Sequence, residues 1–234
     1  KMLLCNSANR PELERSYIDM LRRNMVDGVI VNSLNIGAEA YAEMGLSLVG
    51  IDCDLGEASV QIASDSYSIG ELATRRLIDD GCSRILCLRS NSRMRMPANK
   101  RTDAYLDVVE QAGLPALVRE VEFVKPDDEK SAVVAKILDE NPDIDGIFAG
   151  DDTMAAICLN VMKQRGLSAP DDIKVVGADG ARRTMTFMPD LTTVRQDIDR
   201  IGELAAQSIV ALVNGEKPES NIKLPVELIE GKTA

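Results

Sequence analysis

The sequence predicts an α/β fold built on parallel sheet, and three observations carry that expectation. Short β-rich apolar runs alternate with amphipathic helical stretches from one end of the chain to the other. The run "DGVIVN" (27–32) carries three consecutive apolar residues, Val29 to Val31, and reads as a strand buried on both faces. Apolar runs also end repeatedly on carboxylates: "LSLVGIDCD" on Asp52 and Asp54, "VQIASD" on Asp65, "GIFAGDD" on Asp151 and Asp152, and "VVGADG" on Asp179.

The elements follow in order. Asn9 and Pro11 mark a helix start, after which Leu13, Tyr17, Met20 and Leu21 recur at helical spacing. The buried strand 27–32 comes next. Asp65 or Ser66 caps a helix whose apolar side carries Ile69, Leu72, Ala73 and Leu77, and Gly81 ends it. "SRILCL" (83–88) is a strand, followed by a helix from about Ala98 to Gly113. "VREVEFV", a helix ending before Pro142, "DGIFAG", a helix to Gly166 and "IKVVGAD" continue the alternation.

Composition removes several classes of function. The 234 residues are 45% hydrophobic and 28% charged, ordinary for a globular chain with room for a sizeable core. There is no histidine, so Ser-His-Asp and Cys-His catalysis are excluded. Without histidine or a C-x-x-C pair, no metal site is expected, and no cofactor is implied. Neither G-x-G-x-x-G after a strand nor G-x-x-x-x-G-K-[ST] occurs, so both fingerprints of phosphate cradling are missing. The formal net charge of −11 repels nucleic acid phosphates. No apolar run approaches the ~18 residues of a membrane helix. The five scattered cysteines read as reduced, core-packed thiols of a cytoplasmic protein.

Open parallel sheets bind ligands outside the carboxyl ends of their strands. Asp65, Asp151, Asp152 and Asp179 each follow an apolar run, so they are expected to converge on one such crevice. Asp65 and Asp152 read equally well as helix caps. Asp179 is the stronger ligand candidate, because Ala178 and Gly180 leave space around it.

"APDDIKVVGADG", "MPDLTTVRQDIDRIGELAA" and "KLPVELI" together resemble the effector-binding domain of the LacI/GalR bacterial transcription regulators. Upstream, "LLCNSANRPELERSYIDMLRRNMVDGVIV" looks like that family's second strand, second helix and third strand. "SDSYSIGELATRRLIDDGCSRI" and "FAGDDTMAAICLNVMKQRGLSAP" also fall in the family's order, so the resemblance spans essentially the whole chain.

The resemblance implies a periplasmic-binding-protein-like fold of two doubly wound subdomains with an effector in the cleft between them. Their expected extents are 1–82 with 196–222 and 83–194 with 224–234. It implies a homodimer, a sugar or sugar derivative as effector, no enzymatic activity, and operator DNA bound through an N-terminal helix-turn-helix not contained in this chain. The family's first strand and helix have no counterpart here either, so the expectation is a shortened chain, or a second copy that supplies the missing pairing.

Position by position, the family's R-x-x-G-[FY] arginine falls on Arg101. A guanidinium there can donate two hydrogen bonds to neighbouring sugar hydroxyls. The family's cleft aspartate falls on Asp179, its Asn-Asp pair on Asp151 and Asp152, and the acid opening the helix that lines the first subdomain on Asp65. Tyr105, Tyr67 and Phe187 remain as aromatic candidates in a chain with only 3% aromatics. Asp151 replaces a common asparagine, Ala104 a usual glycine, Ala178 a frequent aromatic, Cys82 a typical histidine and Cys53 a frequent arginine. Arg89, Arg93 and Arg95 in "RSNSRMRMPANKR" would suit an anionic group on the effector or a solvated loop. Two alternatives share parts of this pattern: a sugar-transport receptor of the same fold, and an enzyme using the adjacent Asp151 and Asp152. A pair at one helix start cannot flank a single bond, which weakens the enzyme.

Overall fold

A computed structural model describes residues 1–8, 10–23, 26–33, 40–41, 45–56, 59–91, 97–122 and 125–234. Asn9, Arg93 and Arg95 lie outside the described residues. The chain divides into two compact units. The first is built mainly from Lys1–Ser64 and Asp197–Leu224, the second from Asp65–Asn91, Ala98–Gln196 and Pro225–Ala234.

The first unit holds α1 (Pro11–Arg23), the strands β1 (Gly28–Val31), β2 (Ser47–Ile51) and β3 (Val60–Ser64), then α7 (Ile198–Val213) and β9 (Asn221–Leu224). Glu12 and Glu14 in the first turn of α1 and Arg22 and Arg23 in its last match the helix dipole at both ends. The sheet order is β1-β2-β3-β9, all parallel. α7 lies over it so closely that a Cβ on Gly28 would meet the Ile209 side chain at 2.7 Å. Ile201 and Ala205 of α7 pack with Val49, Val60 and Ile62 of the sheet. The stretch opening at Leu3, which the resemblance likens to the family's second strand, forms no strand before α1. No described strand pairs with its backbone, and Met2, Leu3 and Leu4 are exposed.

The second unit is a six-stranded sheet of β4 (Ile85–Asn91), β5 (Leu117–Glu122), β6 (Gly146–Ala149), β7 (Lys174–Asp179), β8 (Thr192–Gln196) and β10 (Val226–Ile229). Its order is β10-β8-β7-β6-β4-β5, with only β10 antiparallel. Helices α2 (Ser66–Asp79), α3 (Lys100–Gln111), α4 (Asp127–Glu140), α5 (Asp152–Gln164) and the short α6 (Arg182–Phe187) complete it. Leu86, Leu88, Ile147 and Val175 face Val134 and Leu138 of α4 and Ala155 and Val161 of α5. Ile85, Phe148, Val176 and Val194 face Ile69 and Leu77 of α2 and Tyr105 and Val109 of α3. Every residue of β6 is buried, as a central strand between two helix layers requires.

The helix α2, which the sequence boundary at residue 82 assigns to the first unit, packs within the second. A Cβ on Gly70 would stand 2.0 Å from the carbonyl oxygen of Arg101, so α2 touches the main chain of α3. Only glycine at position 70 permits that approach.

Candidate functional site

Parallel strands β4, β6, β7 and β8 place their carboxyl ends along one edge of the second unit's sheet. There the turn after β6 (Gly150–Asp151), the end of β7 (Asp179), the end of β8 (Gln196) and the first turn of α3 (Arg101) come together. Arg101 Nη1 donates to the Gly150 carbonyl at 2.5 Å, and Nη2 donates to Asp179 Oδ1 at 3.0 Å. Gln196 Nε2 donates to the same Asp179 oxygen at 2.6 Å. The Arg101 side chain is only 12% exposed, whereas that of Asp179 is 33% exposed. Arg101 Nε is buried without a hydrogen-bond partner among the described residues. Burial pushes the Asp179 pKa above the ordinary carboxylate value. The Arg101 charge opposes that shift and the nearby Asp151 charge adds to it.

The other predicted residues separate into distinct roles. Asp151 is half-buried and caps α5, its Oδ1 accepting from the Met154 N–H at 2.7 Å. Asp65 caps α2, accepting from the Ser68 N–H at 3.2 Å. It belongs to the second unit, not to a helix of the first. Asp152 is turned inward and is only 4% exposed. Its Oδ1 accepts from the Thr193 hydroxyl at 2.6 Å and its Oδ2 from the Gly180 N–H at 2.8 Å. Both oxygens are thus engaged within the unit, and burial raises the pKa to about 6.

Tyr105 is fully buried and faces the core rather than the strand ends. Its hydroxyl donates to the Ile85 carbonyl at 2.7 Å and accepts from the Leu117 N–H at 2.8 Å, tying β4 to β5. Burial pushes the phenol up to about 12. Tyr105→Phe leaves a buried N–H and a buried C=O unpaired, a cost of about 1–3 kcal/mol. At this chain length each kcal/mol lowers the melting midpoint by roughly 2–4 °C. Thermal unfolding of the variant is expected to show that drop, with effector affinity unchanged.

Tyr67 donates to Asp107 Oδ2 at 2.8 Å, joining α2 to α3, and Phe187 is 74% exposed on α6. Arg89 is paired with Glu120, so its charge is already matched on the neighbouring strand. No cluster of histidine, cysteine or carboxylate side chains among the described residues is arranged to hold a metal ion. No described helix is long and apolar enough to cross a membrane. Sequence reading missed Gln196 and the Gly150 carbonyl. Gln196 lies in "TTVRQ", where the strand period marks it no differently from its neighbours, and a backbone oxygen leaves no trace in residue type.

Comparison with known proteins gives a consistent result. The family model of the periplasmic binding protein-like domain matches residues 74–234. The sucrose operon repressor of Pediococcus pentosaceus is 34% identical over 236 aligned residues, covering 100% of this chain and 72% of that protein. The ribose operon repressor of Halalkalibacterium halodurans is 30% identical, covering 99% of this chain and 70% of its own length. The periplasmic binding protein/LacI transcriptional regulator of Alkaliphilus metalliredigens, solved in complex with D-xylulofuranose, superimposes with a TM-score of 0.85 at 25% identity. That match covers 99% of this chain and 86% of that one. The sucrose and ribose relatives are operon repressors, which sets the transport-receptor alternative aside. With its two parallel-sheet units and this ancestry, the chain belongs to the LacI/GalR family of transcriptional regulators and forms their effector-binding domain.

Proposed function

We propose that the site formed by Arg101, Asp179, Asp151 and Gln196 binds a sugar or sugar-like effector whose presence changes the operator affinity of the regulator. The observation that carries this reading is the state of Asp179. One carboxylate oxygen takes both Arg101 and Gln196, and the side chain is still one-third exposed. The second oxygen is the acceptor offered to a ligand hydroxyl. Carboxylates and one guanidinium at a strand-end edge match a neutral polyol better than an anion, because the local carboxylates outnumber the cation. The likeness to a regulator solved with D-xylulofuranose supports a sugar of this kind.

Membership of the family supports a wider reading. The regulator acts as a cytoplasmic homodimer without catalytic activity of its own, and DNA is held by an N-terminal helix-turn-helix module. The net charge of −11 supports DNA contacts made outside this domain. The effector acts by linkage, shifting the regulator only by the difference in its affinity for the two states.

Thermal unfolding against a panel of pentoses, hexoses, disaccharides, phosphorylated sugars and nucleosides tests the assignment. A ligand at a hundred times its dissociation constant stabilises by ~2.7 kcal/mol, and each kcal/mol moves the midpoint by roughly 2–4 °C. At least one neutral sugar is expected to produce such a shift. A cooperative melt that no sugar moves, but a nucleoside or phosphorylated compound does, contradicts it.

A further inference from the structure

The geometry assigns Asp152 a positioning role. Its buried carboxylate holds the Asp179–Gly180 turn in the backbone conformation that presents Asp179 to Arg101 and Gln196. This inference rests on the reading of that group as the effector site. It comes from four residues that the ligand contacts do not use: Asp152, Gly177, Gly180 and Thr193.

Asp179 has φ +105°, a region that side chains other than glycine rarely adopt, so surrounding contacts must impose it. The next peptide supplies one of them, since the Gly180 N–H donates to Asp152 Oδ2 at 2.8 Å. Gly180 itself has φ +56°, and a Cβ there would lie 2.7 Å from the Arg195 Cα. The turn is therefore pressed against β8 on one side and held by the Asp152 carboxylate on the other. Thr193 on β8 fixes that carboxylate through Oδ1 at 2.6 Å.

Gly177 explains how a carboxylate fits there at all. A glycine inside a strand weakens it and needs a reason. Here a Cβ would stand 2.5 Å from Asp152 Oδ1, in the space the carboxylate occupies. "VVGADG" and "GDD" thus act together: Gly177 makes room, Asp152 fills it, Gly180 turns the chain and Asp179 is presented.

The charged groups around Asp152 are Asp179 on β7, Asp151 at the start of its own helix, Arg101 beyond Asp179, and Arg195 on β8, which is paired with Glu227. Burial is the largest cause of the rise to about 6, opposed by the Thr193 and Gly180 hydrogen bonds and reinforced by the charges of Asp179 and Asp151. Protonating Asp152 replaces a charge-assisted acceptor for the Gly180 N–H with a neutral and weaker one. The Gly180 amide therefore reports the contact.

Nuclear magnetic resonance of the whole chain tests the role without any ligand. The three-bond coupling between the amide proton and Hα of Asp179 reports φ, and the Gly180 amide proton shift reports its bond to Asp152. In the wild-type chain the coupling is expected to be small, and the Gly180 amide to move with a midpoint near pH 6. Asp152→Ala is expected to raise the coupling towards the extended value. Asp152→Asn can accept from Gly180 through its carbonyl oxygen and donate to Thr193, so it is expected to restore the small coupling and abolish the pH step. A folded Asp152→Ala variant with the wild-type coupling overturns the proposal. Should that variant fail to fold, an Asp179 coupling in the wild-type chain at the extended value, or a Gly180 amide proton at the position of an unbonded amide, overturns it equally. None of these readouts involves binding, so a wrong effector class and a wrong role for Asp152 give different results.

Discussion

Replacing Arg101 with alanine is expected to weaken effector binding by about 10- to 100-fold, measured by calorimetric titration with the sugar that shifts the melt. The variant loses hydrogen bonds between a charged donor and its acceptors, each worth about 1.5–3 kcal/mol, and each 1.4 kcal/mol is about tenfold in affinity. The loss reaches beyond direct contact. Arg101 is the cation beside Asp179 and opposes the rise in that carboxyl's pKa. Removing it drives the Asp179 pKa higher still, so the residual affinity of the variant falls as pH is lowered, starting at a higher pH than in the wild type. A variant that binds as tightly as the wild-type chain at neutral pH contradicts the assignment of Arg101.

Gly70→Ala carries the second large effect, and it joins fold to site. The new methyl would lie 2.0 Å from the Arg101 carbonyl oxygen, a backbone atom that moves only if the first turn of α3 moves. Overpacking of this kind costs about 1–3 kcal/mol and at times more. Thermal unfolding is expected to show a midpoint lowered by roughly 2–4 °C for each kcal/mol. The same displacement carries Arg101 away from Gly150 and Asp179, so effector affinity falls together with stability. Tyr105→Phe supplies the contrast, because it destabilises one turn further along α3, through Ile85 and Leu117, and leaves the Arg101 contacts in place. Equal stability losses with unequal affinity losses would separate the two kinds of position.

Much of the fold was legible because parallel sheets impose a strong pattern. The apolar runs ending in Asp65, Asp151 and Asp179 mark strand ends, and the edge that Asp151 and Asp179 define in the second unit is where Arg101 arrives. What each carboxylate does there was not legible. Asp151 and Asp152 are adjacent in sequence, yet one caps its helix and the other turns inward to Thr193 and Gly180. That choice depends on Gly177 of a different strand, which no local pattern around residues 151–152 records. Tyr105 shows the same limit. Its helical position fits a rim or a core residue, and only the backbone groups of Ile85 and Leu117 bring it inside. The place of α2 in the second unit comes from its packing on α3, closest at Gly70 and Arg101, and on the sheet strands that follow it in sequence, contacts that the strand–helix alternation could not locate.

The most direct test of the central claim is amide chemical-shift mapping of the isotopically labelled chain, titrated with the sugar that raises its melt most. The account predicts that the largest changes fall on Gly150, Asp151, Asp179, Gly180, Gln196 and the first turn of α3 around Arg101, and that they saturate together at one dissociation constant. Saturating changes that cluster elsewhere and leave the Arg101 and Asp179 amides unmoved would contradict it.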